Sequence, residues 1–172
     1  MIIELIRDVV VEASRKTGNN VNFVFGDSSY IREQIRVLKA CPDTAVSRFP
    51  LIGLYVPVEE MKDSDDYYCK ADVSLIIAVN TSRDYTNEQR LEISFKGILR
   101  PLYEAFIRSV KECGKFDFGY GNPVHSYTEN YSFGRRGSFD VDGKELDEKI
   151  DAIEIKNLEL TVKNQNCYAN RY

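Results

Sequence analysis

Ser28 and His125 are the one pair of residues in this chain that could support nucleophilic catalysis. Ser28 follows the strand-like stretch 21–25 in the tripeptide Gly-Asp-Ser, and His125 is the single histidine. A serine nucleophile needs a histidine base and a carboxylate that orients that base. Three residues before His125 stands Asn122, whose amide cannot stabilise an imidazolium as a carboxylate does. The sequence therefore favours another interpretation, in which Asp27 and Ser28 cap a helix and His125 lies on a surface strand.

Acidic residues cluster in two places, and neither has the spacing of a metal site. Asp140, Asp142 and Gly143 match part of a calcium-binding loop, but a third acidic ligand before the glycine and the flanking helices are missing. A hairpin turn explains these residues instead. Residues 59–66 contain five acids and are typical of a solvated loop. We therefore expect no metal and no cofactor.

Glycine and arginine are concentrated in residues 119–137, but not with the spacing of a phosphate-binding loop. Residues 119–121 (Gly-Tyr-Gly) are not followed by a helix start, a lysine or an acidic partner. Residues 134–137 hold the only concentrated basic spot, Arg135 and Arg136 between two glycines. A guanidinium group can bind either a phosphate or a carboxylate, through two parallel hydrogen bonds. An exposed loop is the simpler interpretation.

Composition and charge point to an assembling protein more than to a nucleic-acid binder. The chain has 172 residues, within the usual range of one domain, and 1–172 is predicted as a single domain. Its 27 acidic and 23 basic residues give a net charge of −4, the opposite of a phosphate-binding surface. An acidic wall beside sliding DNA remains compatible with this charge. Eleven tyrosines and nine phenylalanines suit an interface that is exposed before assembly and covered afterwards.

The cysteines and the N-terminal residues indicate a protein made in a reducing compartment. The four cysteines are far apart and show neither a CxxC pair nor zinc spacing, so we expect reduced thiols. Charges at Glu4, Arg7 and Asp8 exclude the apolar core of a signal peptide. The longest apolar stretch, 73–79, is too short to span a membrane, so no membrane partner is expected.

The hydrophobic pattern predicts an α+β fold. Apolar residues at three- and four-residue spacings predict helices over 2–17, 30–40 and 86–113, the last with a kink or break near 97–100 because of Pro101. Strands are predicted over 21–25, 50–57, 67–81 and 124–133, followed by a hairpin centred on the Asp-Gly pair at 142–143. Isoleucines alternate on odd positions before 156 and leucines on even positions after 157, which predicts a bulge or a sharp bend near 156–157.

These elements predict a mixed or antiparallel sheet, with the N-terminal helix and the long central helix packed on one face and a C-terminal β-hairpin. Residues 114–145 are rich in glycine and aromatics, and we expect this extended loop and hairpin region to make subunit contacts. The tail 164–172 is polar and aromatic and could become ordered on a partner, or could simply be a frayed end.

Several stretches of the chain resemble phage tail-terminator, tail-completion and neck-ring (head–tail connector) proteins. They contain 49 of the 172 residues and are RFPLIGLY (48–55), VSLIIAVNT (73–81), YTNEQRLE (85–92), FKGILRPLYEAF (95–106), LD (146–147) and DAIEIKNLEL (151–160). A shorter stretch, the Gly-Asp-Ser at 26–28, resembles the nucleophile block of GDS-type hydrolases. Those hydrolases have an aspartate three residues before their histidine, where this chain has Asn122.

The longer resemblance implies a structural protein without catalytic residues, a ring subunit in the neck or tail of a virion. Such a subunit is made in the host bacterial cytoplasm, binds copies of itself and adjacent neck or tail proteins, and surrounds DNA without sequence-specific binding. The candidate assembly contacts are Tyr120, Tyr127, Tyr131, Phe133, Arg135, Arg136, Tyr168 and Tyr172. The alternatives are a cytoplasmic protein-interaction or small-ligand-binding α+β domain and, less favoured by the residues, a GDS-type hydrolase.

Overall fold

The computed structural model describes residues 2–40, 49–62, 68–82, 84–118, 121–133 and 150–163. The helices are α1 (Ile2–Thr17), α2 (Ser28–Ala40), α3 (Asn87–Arg90) and α4 (Arg100–Glu112), and a π-helical segment (Leu91–Leu99) joins α3 to α4. We call residues 87–112 the central helix. The strands are β1 (Asn22–Gly26), β2 (Leu51–Tyr55), β3 (Glu60–Lys62), β4 (Tyr68–Asn80), β5 (Ser126–Phe133) and β6 (Ile150–Lys163).

All six strands belong to one mixed sheet. Five of them follow the order β1-β2-β4-β6-β5, and β3 pairs with β4 beside that path. The β1–β2 pair is parallel, and every other pair is antiparallel. β4 and β6 are the longest strands and form the middle of the sheet. The path therefore ends in β1 on one side and in β5 on the other.

The helices cover the two faces of the sheet unequally. α1 and the central helix contact each other and pack on one face, over the larger core cluster. α2 packs on the opposite face, where Ile31 and Ile35 join a smaller cluster. Gly53 of β2 permits this close approach, since a Cβ there would lie 3.2 Å from the Cγ2 atom of Ile31 and 3.0 Å from that of Ile76. The prediction of α1 and the central helix on one face is confirmed.

The central helix begins with a capping box and then changes its hydrogen-bond pattern. The Thr86 side chain accepts from the Gln89 N–H, and the Gln89 side chain accepts from the Thr86 N–H. Nine residues of π-helix follow, and the Arg100 N–H donates to the Phe95 carbonyl five residues earlier. Of the kink or break predicted near 97–100, no break occurs, because the chain stays helical through Pro101, which occupies the first turn of α4, where its missing N–H is tolerated. The change from π-helix to α-helix falls at Arg100, inside the predicted range.

The predicted bulge in the last strand is confirmed. The β4–β6 register shifts between the pairs Val73–Leu158 and Leu75–Ile155, so that Ser74 lies opposite two residues of β6. One of these two, Asn157, has a φ of 54°, a left-handed conformation that asparagine tolerates better than most residues. The extra residue keeps the isoleucines before it and the leucines after it on the same buried face.

The expectation of a solvated loop at 59–66 is wrong for its first part. Glu60–Lys62 forms β3, which pairs with Cys69–Ala71 of β4. The Glu60 carboxylate accepts a hydrogen bond of 3.0 Å from the Ile2 N–H at the start of α1. A carboxylate at a helix N-terminus is favoured by the helix dipole, which explains why an acidic stretch is ordered here. Residues 63–67 lie outside the described residues.

Candidate assembly surfaces

The structure separates the two residues that a hydrolase would have to bring together. Ser28 follows β1 at one end of the strand order, and His125 precedes β5 at the other. The Asp27 carboxylate accepts from the Tyr30 N–H at 2.7 Å and so caps α2, as predicted. His125 is hydrogen-bonded through both ring nitrogens to Tyr103 and to the Pro123 carbonyl. Ser28 and His125 therefore do not form a nucleophile–base pair in this structure.

A row of polar and aromatic side chains joins the central helix to β5. The Arg100 guanidinium donates to both carboxylate oxygens of Glu129, at 2.7 and 3.1 Å. The Tyr127 hydroxyl donates to the same carboxylate at 2.6 Å. The hydrogen bond from Arg100 lowers the pKa of Glu129, and burial together with this carboxylate raises the pKa of Tyr127. Glu129 is therefore held as an anion at this edge of the sheet.

The same row continues through Tyr103 to His125. The Tyr103 and Tyr127 rings meet edge to face, with centroids 4.8 Å apart. A carbonyl can only accept, so Nδ1 of His125 donates to the Pro123 oxygen at 2.8 Å. Nε2 lies in hydrogen-bond contact with the Tyr103 hydroxyl at 2.7 Å. These contacts fix the orientation of the His125 ring within the row. At the other end of the row, the Tyr127 side chain remains exposed.

The opposite edge of the sheet carries a different set of side chains. The guanidinium of Arg7, from α1, lies 5.8 Å from the Phe23 ring centroid and 5.9 Å from that of Phe25. Phe25 is 42 % exposed and Tyr30, at the start of α2, is 50 % exposed. Phe23, Phe25 and Tyr30 line a groove together with Val24, Gly26, Asp27 and Val56. The β1 edge thus carries aromatic rings with an arginine over them, whereas the β5 edge carries a tyrosine and a glutamate that is paired with Arg100.

The predicted assembly contacts fall in three different environments. Tyr127 is 40 % exposed, on the β5 edge. Tyr131 is half-buried against Phe95, with ring centroids 4.2 Å apart. Phe133 is buried in the smaller core cluster with the Arg32 guanidinium over its ring, which argues against a direct contact with a partner. The other predicted contacts, Tyr120, Arg135, Arg136, Tyr168 and Tyr172, and the hairpin turn at 142–143 lie outside the described residues.

A buried ion pair was not predicted from the sequence. Arg90, at the end of α3, donates to the Asp151 carboxylate of β6 and to the Tyr131 carbonyl of β5. Both charged side chains are almost completely buried, at 1 % and 0 % exposure. Among the described residues, Arg90 Nε and Asp151 Oδ2 have no hydrogen-bond partner. This pair fastens the start of the central helix to the two C-terminal strands.

The described part of the chain offers little for other classes of site. It contains no group of three His, Cys, Asp or Glu side chains placed to hold a metal ion. Cys69 is buried and Cys113 half-buried, and both are free thiols, as predicted for them. No helix among these residues is both long enough and apolar enough to cross a membrane.

Comparison with known proteins adds no family assignment. Neither a protein-family model nor a curated protein matches this chain.

Proposed function

We propose that this protein is a ring-forming structural subunit of a phage neck or tail, a tail-terminator-like head–tail connector that surrounds the DNA channel. The observation that carries the ring is the pair of unlike sheet edges. Within the described residues, no strand pairs with the outer side of β1 or of β5. A contact between two unlike surfaces repeats from copy to copy and closes into a ring when the rotation allows it.

The phage context is supported by the resemblance, and the structure shows where the resembling stretches lie. Apart from residues 48 and 146–147, which lie outside the described residues, they fall mainly on β2, the second half of β4, the central helix and β6. These elements form the middle of the sheet and most of the larger core cluster. The resemblance thus concerns the scaffold, whereas the two edges carry the contacts that a ring needs.

The charge of the chain suits a channel through which DNA passes without being held. A net charge of −4 disfavours tight, sequence-independent binding to phosphates. A weakly repelling wall lets a duplex slide. The proposed partners are therefore copies of this chain and the neighbouring neck or tail proteins, in a virion assembled in the bacterial cytoplasm.

Measuring the mass of the purified protein in solution tests this proposal. Light scattering over a wide concentration range at two salt levels should give a closed oligomer of about six or twelve copies, with no larger species at higher concentration. Open-ended growth would contradict ring closure. A strict monomer that binds one partner stoichiometrically, or a small ligand in a preformed pocket, would instead favour the adaptor or ligand-binding alternative.

A further inference from the structure

The backbone at the outer side of β1 can be assigned residue by residue. The Asn22 N–H donates to the carbonyl of Pro50, next to β2, at 3.0 Å. In an extended strand, successive residues direct their backbone groups to opposite sides. Val24 therefore also faces β2, whereas Phe23 and Phe25 direct their N–H and C=O groups to the outer edge.

The same alternation, carried across the sheet, assigns the outer side of β5. Starting from β2, the pairs whose backbone N–H and C=O groups point toward each other across neighbouring strands include Gly53–Ile76, Ile77–Ile153 and Glu154–Thr128. Because Thr128 faces β6, its neighbours Tyr127 and Glu129 direct their backbone groups outward. Each edge therefore presents two residues, separated by one, whose N–H and C=O groups have no backbone partner among the described residues.

The strand directions determine how the two edges could meet. β1 and β2 are parallel, and three antiparallel steps separate β2 from β5, so β1 and β5 run in opposite directions within one copy. A rotation about an axis along the strands preserves these directions. β1 of one copy would then lie antiparallel to β5 of the next. β1 has five residues, and β5 is regular from Ser126 to Asn130 before its register shift, which is the same length.

The side chains at the two edges lie on the same face of the sheet and are complementary. Phe23 and Phe25 lie under Arg7 of α1, and Tyr127 and Glu129 contact the central helix, which packs on the same face as α1. Opposed residues of an antiparallel pair share a face. Phenylalanine would therefore meet tyrosine, and an arginine would meet a glutamate that its own copy keeps ionised.

We propose, building on the ring function above, that β1 of one copy adds to β5 of the adjacent copy as an antiparallel strand. Phe25 is opposed to Tyr127 of the adjacent copy, and Phe23 to its Glu129. Both are hydrogen-bonded pairs, so the junction contains four backbone hydrogen bonds. Arg7 lies over this junction and faces the Glu129 carboxylate of the adjacent copy. The sheet then runs from subunit to subunit without an exposed edge, which also removes an aggregation hazard.

Cysteine cross-linking tests this junction directly. Opposed Cα atoms of a hydrogen-bonded antiparallel pair are about 5.5 Å apart, within the range that a disulfide bridges. The double variant Phe25→Cys with Tyr127→Cys should give, under mild oxidation, a ladder of covalent multimers that ends at the ring size found by light scattering. A 1:1 mixture of the two single variants should stop at dimers, because each copy then offers only one reactive edge.

Matched controls separate this junction from accidental contacts. Asp8→Cys with Ile93→Cys places two thiols at exposed helical positions outside both edge strands and should give no ladder. The unmodified chain, with its own four cysteines, supplies the background. Each single variant alone should remain uncross-linked. Dimers of Phe25→Cys alone, or of Tyr127→Cys alone, would show a two-fold contact between like edges and would overturn the proposal.

A charge variant provides a second test that does not depend on cross-linking. Arg7→Glu places a carboxylate opposite Glu129 of the adjacent copy and should weaken assembly roughly tenfold, as read from the concentration at which the oligomer dissociates. Arg15→Glu, on the same helix but within a surface pair with Glu12, should change it less than about twofold. Equal effects of the two variants would overturn the role of Arg7.

The two tests distinguish failure of this junction from failure of the ring. A closed oligomer by mass, with no cross-linking above the helical control, would overturn the β1–β5 junction and leave the ring function standing. A monomer at every concentration, with no cross-linking, would overturn both.

Discussion

Two arginine–carboxylate pairs join the central helix to the C-terminal strands, ten positions apart along the helix, and their surroundings differ. Arg90 and Asp151 are 1 % and 0 % exposed, and Arg100 and Glu129 are 37 % and 20 % exposed. The buried pair leaves one nitrogen and one oxygen without a partner among the described residues. In the outer pair, the guanidinium bonds to both carboxylate oxygens, and Tyr127 bonds to one of them.

The difference indicates that the same chemistry can be sealed inside the fold in one place and left accessible in another. Two charges removed from water lose more hydration energy than their attraction restores, unless every polar atom is satisfied. The inner pair therefore fixes the position of the helix without adding much net stability. The outer pair is partly exposed and lies on the β5 edge, where the proposed adjacent copy would contact its carboxylate.

Removing one partner of the inner pair should have the largest effect on stability. Asp151→Ala leaves the Arg90 charge buried and uncompensated, and should lower the free energy of unfolding by about 3–5 kcal/mol. Urea denaturation followed by circular dichroism measures this loss. Replacement of both charges in the double variant Arg90→Met with Asp151→Leu should restore most of it, because no buried charge remains. A loss below about 1 kcal/mol for Asp151→Ala would show that water reaches this pair.

The sequence contained a sign of the inner pair that the hydrophobic pattern did not bring out. Asp151 has the same parity as Ile153 and Ile155, so strand alternation places its side chain on their buried face. Arg90 lies 61 residues away along the chain, next to the polar residues of a capping box. From these neighbours alone, Arg90 would be predicted as an exposed charge. A pattern within one element identifies the acid as buried, but only the packing of two distant elements identifies its partner.

Local rules predicted most of the fold because they concern neighbours in sequence. The Thr86–Gln89 capping box, the helix stops at Gly18 and Gly114, and the bulge at Asn157 all depend on a few adjacent residues. The π-helical segment was missed because five-residue hydrogen bonding leaves the apolar stripe nearly unchanged. The two sheet edges were missed as well, since strand order is a property of the whole chain.

Neutralising Glu129 of the outer pair should destabilise the protein less than Asp151→Ala does, and the loss of stability should depend on pH. Glu129→Gln should lower the free energy of unfolding by about 0.5–1 kcal/mol at neutral pH, since both partners are partly solvated. The pKa of Glu129 is lowered from its ordinary value of 4.5, mainly by the hydrogen bond from Arg100. Its contribution is therefore present above pH 4.5 and is lost as the pH falls through the lower pKa of the folded state.

Urea denaturation of the unmodified protein and of Glu129→Gln, repeated from pH 7 to pH 3, measures this dependence. The difference between the two should be constant at neutral pH and should shrink toward zero in acid. Glu104→Gln, which removes an exposed acid from α4, the helix of Arg100, is the matched control for the loss of one negative charge. A difference for Glu129→Gln that grows in acid would contradict the lowered pKa.

The smallest of these effects is the influence of salt on the loss of stability in each variant, which should differ between the two pairs by a few tenths of a kcal/mol. Raising the ionic strength from 0.1 to 1 M shortens the Debye length from about 10 Å to about 3 Å, which screens solvated charges but hardly affects buried ones. The penalty of Glu129→Gln should therefore fall by about half in 1 M NaCl, while that of Asp151→Ala stays the same. Because each penalty is a difference from the unmodified protein at the same salt, general salt effects on hydrophobic burial cancel. If the Asp151→Ala penalty fell in the same proportion, the inner pair would be in contact with solvent, and the contrast between a structural and an accessible pair would not hold.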